Sequence, residues 1–161
     1  MLFKMESRKA TDKDFATVCR FPRSARELFY MDPQGDFPLT EEQLAAVSAQ
    51  RSDPTVVLCD GKVAGYANFY DVAPGNYCAI GNAVVSPRLR GRGIGEYLIR
   101  TMERLAREKH GATEIRLSCF STNTRGILLY TKMGYLPREV EQRTDRRGRR
   151  HALLKFAKAL E

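Results

Sequence analysis

No run of apolar residues in the 161-residue sequence approaches the roughly 18 that a membrane-spanning helix needs, so no transmembrane segment is expected. Glu6 interrupts the first residues before any long apolar run, and no secretory signal is read there. The 4 cysteines (Cys19, Cys59, Cys78, Cys119) form no Cys-x-x-Cys pair, which argues against a zinc knuckle or a redox motif. With no signal, they are expected as reduced thiols in a cytoplasmic protein. Histidine occurs only as His110 and His151, both read as structural or solvent-facing. No Ser/His/Asp or Cys/His constellation and no metal-ligand set is evident. Internal repeats, low-complexity segments and a convincing domain boundary are missing too, so residues 1–161 are expected to form a single domain.

What the chain does have is ordinary globular composition, with 43% hydrophobic and 29% charged residues, and a formal charge of +8. That charge is unevenly placed. Residues 1–60 hold 8 Lys/Arg against 10 Asp/Glu, whereas residues 61–161 hold 19 against 9. The basic C-terminal part could attract nucleic acid, an anionic membrane or a small polyanion such as a nucleotide phosphate.

Hydrophobic periodicity and turn chemistry order the chain. A loose alternation over 2–9 reads as a strand, and Thr11-Asp12-Lys13-Asp14 opens a short helix over 12–19. Residues 21–38 read as an irregular apolar loop over a groove, punctuated by Pro22, Pro33, Gly35 and Pro38. Thr40-Glu41-Glu42-Gln43 is a capping box for a helix over 40–50. Strands follow at 55–59 and 63–70 around Asp60-Gly61, then at 77–85. Ile94, Tyr97, Leu98, Thr101, Met102 and Leu105 share one helical face that ends near His110-Gly111. A strand over 114–120, a helix over 123–133 and strands over 135–143 and 149–156 complete the order β-α-α-β-β-β-α-β-α-β-β. The class is α+β, with a mixed sheet of about seven strands and about four helices.

The informative segment is Val84-Val85-Ser86-Pro87-Arg88-Leu89-Arg90-Gly91-Arg92-Gly93-Ile94-Gly95. A strand ends at a proline, and a loop holding three glycines runs straight into an amphipathic helix. Glycines let backbone N–H groups approach a ligand, and a helix N-terminus adds unpaired donors and partial positive charge. Together with Arg88, Arg90 and Arg92 these make an anion cradle. No Gly-Lys-Ser or Gly-Lys-Thr follows, which excludes a Walker loop. The glycine spacing and the preceding hairpin exclude a dinucleotide fingerprint.

Arg90-x-x-Gly93-x-Gly95 after Val84-Val85-x-Pro87 resembles the acyl-CoA signature of the GNAT acetyltransferase superfamily. Asn123-x-x-Gly126-x-x-x-Tyr130-x-x-x-Gly134-Tyr135 after the 114–120 strand resembles that family's second motif, and the element order is similar over essentially the whole chain. The resemblance implies a GNAT-like fold with splayed central strands and acetyl-CoA as cofactor, with CoA as product. By that similarity Ala83, Val84 and Val85 offer backbone bonds to pantetheine. The amides of Arg90, Gly91, Arg92, Gly93, Ile94 and Gly95 wrap the pyrophosphate. Asn123 bonds the pantetheine arm, Gly126 belongs to the cofactor motif, and Tyr130 protonates the departing thiolate. Arg125 or Lys132 reaches the adenosine end.

The implied reaction is N-acetyl transfer to a primary amine by direct attack in a ternary complex. No glutamate stands on the 77–85 strand. Asn82 cannot be a base but can orient the amine or a water. Glu27, Tyr30 and Tyr70, a water relay, and an amine that arrives neutral all remain open for deprotonation. Glu27, Phe29, Tyr30 and Tyr70, with Phe37, are expected to line the acceptor pocket. The carboxylates Glu27, Asp32 and Asp36 favour a cationic acceptor, either a small molecule or a peptide amine. Two alternatives stand beside this reading: a basic nucleic-acid-binding module built on Arg143, Arg146, Arg147, Arg149 and Arg150, and a CoA-binding family member without catalysis. Neither a membrane nor nucleic acid is the expected partner, and the chain is expected as a monomer or homodimer.

Overall fold

The computed structural model of the chain describes residues 2–161. Its elements run β1 (Met5–Lys9), a 3₁₀ turn (Asp12–Asp14), α1 (Phe15–Val18), α2 (Ala25–Met31), α3 (Glu41–Ala49), β2 (Ser52–Cys59), β3 (Lys62–Ala73) and β4 (Tyr77–Val85). A second 3₁₀ turn (Pro87–Leu89) leads to α4 (Ile94–His110), β5 (Glu114–Phe120), α5 (Thr124–Lys132), β6 (Leu136–Thr144) and β7 (Arg150–Ala159). Seven strands form one sheet in the order β1-β2-β3-β4-β5-β7-β6, parallel only between β4 and β5. This is the α+β class with a seven-stranded mixed sheet that the pattern predicts.

The predicted loop over 21–38 contains a helix, α2, which makes five α-helices rather than four. Ser24 caps it by accepting a hydrogen bond from the Glu27 amide at 3.1 Å, and Leu28 and Met31 bury its inner face. Pro22 and Pro33 delimit this helix instead of breaking it.

Period-2 and period-3.6 patterning explain how the layers close. Along β2, Val56 faces one core and Val57 the other, and both are fully buried. Val56 and Tyr66 pack beneath α1–α3 with Phe15, Val18, Leu28 and Leu44. Val57 and Phe69 pack with Ile94, Leu98, Ile99 and Met102 of α4 on the opposite face. Burying each such side chain contributes about 1.5–3 kcal/mol. The sheet is therefore covered on both faces, with α4 the main element on one of them.

Two departures from a regular sheet create the site. First, β4 and β5 are paired only from Tyr77↔Glu114 to Ile80↔Leu117. Beyond that point Gly81–Val85 pairs with β3 alone and Ser118–Phe120 with β7 alone, so the strands part. Second, β4 bulges. Tyr66 and Asn68, two residues apart, face Val84 and Gly81, three apart, and Asn82 adopts φ 51° to absorb the extra residue.

Candidate functional site

The parting strands open a cleft of about 930 Å3. Its lining comes from β4 (Ile80 to Val85), the loop and first turn of α4, β5, α5, and the α2 region with Glu27 and Tyr30.

At one end lies the glycine loop. Gly91 and Gly93 both sit at φ 80°, in the left-handed region, with open space where a side chain would stand. Gly93 is the N-cap of α4 and supplies no side-chain acceptor. Among the described residues, no acceptor is found for the amides from Arg90 to Glu96. Seven successive N–H groups at the N-terminus of a 17-residue helix are thus left for a ligand. Of the three arginines, only Arg90 lines the cleft, and it pairs with Glu27 at 3.3 Å. The Arg92 guanidinium turns away onto the Phe3 ring at 4.8 Å, so only its backbone serves the loop.

Across the gap, Asn123 Oδ1 caps α5 by accepting from the Gly126 amide at 3.2 Å, while its Nδ2 makes no hydrogen bond within the described residues. Gly126 has a packing reason of its own. A Cβ there would fall 2.8 Å from both Cys119 Sγ and Asn123 Nδ2, so α5 could not lie this close to β5. Tyr130 lines the cleft, and among the described residues its hydroxyl makes no hydrogen bond. Its ring packs edge-on to Tyr135 at 6.0 Å. Burial pushes the Tyr130 phenol well above the ordinary tyrosine value, so it stays protonated. Tyr135, also raised by burial, donates to Glu103 Oε2 at 2.7 Å and has no free hydroxyl to offer.

On β4, both ends of the Asn82 side chain are engaged. Its Nδ2 donates to Met31 O and its Oδ1 accepts from Asn68 Nδ2, each at 2.9 Å. Asn82 therefore ties the end of α2 to the bulge. Because Met31 O can only accept, every amide in this chain has a fixed orientation, and Asn68 Nδ2 also donates to Tyr66 OH at 3.0 Å. Asn68 Oδ1 is left buried without a partner among the described residues. Such an orphan costs about 1–3 kcal/mol.

At the other end, Tyr30 and Tyr70 line the cleft. Phe29 does not. It stacks on Phe120 at 4.5 Å and on His151 at 4.6 Å, buttressing the wall from behind, because the α2 helix turns consecutive residues about 100° apart. Phe37 is 45% exposed and outside the cleft. Sequence reasoning missed Arg51, which follows α3 and reaches the cleft beside Tyr70. The carboxylates read as favouring a cationic acceptor are not gathered as free charges in the cleft. Glu27 is held by Arg90 and Asp36 by Arg146, and Asp32 lies outside the lining. The same pairing discharges part of the basic hairpin tip, where Arg143 meets Glu141 and Arg149 meets Asp145, each at 2.9 Å.

With this geometry in place, likenesses to known proteins become informative. Residues 19–135 match the Acetyltransferase (GNAT) family. A mycothiol acetyltransferase from Thermomonospora curvata is 42% identical over 73 residues, which is 45% of this chain. The matched stretch spans 24% of that protein. Among solved structures, an acetyltransferase from Salmonella typhimurium, determined with its cofactor acetyl-CoA, aligns with a TM-score of 0.74 and 21% identity over 98% of this chain and 94% of that one. The ribosomal-protein-S18-alanine N-acetyltransferase from Escherichia coli gives 0.75 and 19% over 98% and 95%. A GNAT-family acetyltransferase from Bacillus anthracis gives 0.79 and 17% over 98% of each chain. At these identities the structures speak for a common fold.

Proposed function

Since the chain belongs to the GNAT acetyltransferase family, we propose that it transfers the acetyl group of acetyl-CoA to a primary amine, by direct attack within a ternary complex. One observation carries the reading: a row of unpaired amides and an unpaired phenol line the same cleft between two parted strands. The amides from Arg90 to Gly95 fit a pyrophosphate, which needs many donors and little side-chain charge. The β4 edge at Ala83, Val84 and Val85 faces the gap without a β5 partner and can pair with pantetheine amides. Asn123 Nδ2 is a free donor on the opposite wall, and Arg125 and Lys132 stand at the same end.

Acetyl-CoA supplies an activated acyl group and a thiolate leaving group. The chain's own contribution is positional and electrostatic. Holding the amine against the thioester replaces an encounter between free molecules. Backbone N–H groups at the bulge stabilise the charge that develops on the carbonyl oxygen. Tyr130, kept protonated by burial, delivers a proton to the departing sulfur, and the proton lost by the attacking amine, passed through water, restores the phenol. Asn82 acts through position, since it fixes the bulge against α2.

The test is thermal unfolding with acetyl-CoA, CoA and ATP supplied separately, followed by thiol release in the presence of amines. Both CoA species should raise the melting temperature at sub-millimolar concentration and ATP should not. Equal shifts with ATP, or none with either CoA species, would sink the assignment.

A further inference from the structure

The acceptor end of the cleft has the wrong charge for a polyamine. Among the described residues, the carboxylates that line the cleft are Glu27 and Glu96. Glu27 is tied to Arg90, and Glu96 to Arg100 and Lys132 at the opposite end. Among the cations that line the cleft are Arg51, Arg143 and Lys155. Arg143 and Lys155 share Glu141, at 2.9 and 2.8 Å. Arg51 shares nothing: within the described residues its guanidinium has no ion pair and no hydrogen bond.

Arg51 is nonetheless held in place. Its guanidinium carbon lies 5.7 Å from the centre of the Tyr70 ring. Its Nη1 is 3.0 Å from where a Cβ would stand on Gly81, and the orphaned Asn68 Oδ1 is 3.2 Å from that same point. Only the absence of a side chain at Gly81 leaves room for both. Neither Tyr70 nor Asn68 carries a counter-charge, so the fork of Arg51 keeps its donors for a ligand. An unpaired, pre-positioned guanidinium matches a planar oxyanion that accepts two parallel hydrogen bonds.

Resting on the acetyl-transfer reading, we propose that the acceptor is a free α-amino acid, whose carboxylate binds Arg51 while its amine faces the β4 bulge. Arg51 Nη1 stands 3.0 Å from the Cβ position of Gly81, at the start of the β4 bulge, and an α-amine is only two bonds from the carboxylate carbon, so both groups of an α-amino acid can sit at the bulge. A polyamine or a lysine-rich peptide would set its charge against Arg51 with no carboxylate to receive it.

The experiment measures thiol release from acetyl-CoA with the common L-amino acids, their C-terminal amides and spermidine, using the wild type, Arg51→Gln and Arg51→Lys. At least one free amino acid should exceed its own amide in kcat/KM by about 10- to 100-fold, the loss expected when a charged hydrogen-bond partner is removed. The amide has the less basic amine and carries the larger neutral fraction near pH 8, so protonation state alone pushes the ratio the other way. Arg51→Gln should erase the preference through KM, and Arg51→Lys should restore part of it. The CoA-induced melting shift must persist in both variants, which separates loss of the carboxylate site from loss of the fold. Turnover of spermidine or of amides as fast as of acids overturns the proposal. So does acetylation of no free amino acid, or an acid-to-amide ratio unchanged in Arg51→Gln. Absence of any CoA-induced shift in the wild type would instead strike the cofactor assignment.

Discussion

Tyr130 and Tyr135 touch each other and are both raised by burial, yet only one can serve as an acid, because Tyr135 spends its proton on Glu103. Tyr130→Phe should lower kcat by about 100-fold or more while leaving the CoA-induced melting shift in place. The sequence motif pointed to Tyr130 but offered no way to tell that its hydroxyl is unpaired. Asn82 was legible as a residue of interest, whereas its engagement with Asn68 and Met31 depends on a bulge that no spacing encodes. A second residue-scale expectation concerns Asp14, which is buried, receives Arg8 at 2.8 and 2.9 Å and accepts the Thr11 amide at 2.7 Å. The Arg8 guanidinium holds this carboxyl below its usual value of 3.8. A depressed carboxylate stabilises the fold above its unfolded pKa and loses that contribution as pH falls through the folded one. Asp14→Asn should therefore cost about 2–3 kcal/mol in urea unfolding at pH 7, and the gap to wild type should close below pH 3.8.

Among the elements, β4, β5 and α4 lie where the sequence pattern put them, since β5 alternates, α4 carries an apolar stripe and β4 is a largely apolar run between the Gly75 turn and Pro87. The helix α2 was not legible as one because its flanking prolines outweighed a cap signal that was present, Ser24 followed three residues later by Glu27. That helix carries Glu27 and Tyr30 to the cleft, so its stability is also a property of the site. Ser24→Ala should cost about 1 kcal/mol and raise KM for the acceptor more than for acetyl-CoA, as steady-state kinetics would reveal. Gly126→Ala presses a methyl group against Cys119 and Asn123 and should cost about 1–3 kcal/mol in thermal or urea unfolding. It should weaken CoA binding as well, since it lifts the wall that holds Asn123.

The single sheet has two halves of different size, β1–β4 and β5–β7–β6, joined through four residue pairs of β4 and β5. Its positive excess lies after residue 60, in the part that also carries the amide loop. Raising NaCl from about 50 to 500 mM should weaken CoA binding several-fold, because exposed charges on the approach are screened. In amide hydrogen exchange, acetyl-CoA should slow residues 81–85 and 118–120 and leave β1 unchanged. Mechanically, the four-residue junction is a narrow hinge between two plates that are each stiffened by their own helices. A molecule bonded to the free edges of both plates acts as a brace across an open joint. Without that molecule the two plates rely on the four β4–β5 pairs, so the sheet is expected to be more compliant empty than loaded.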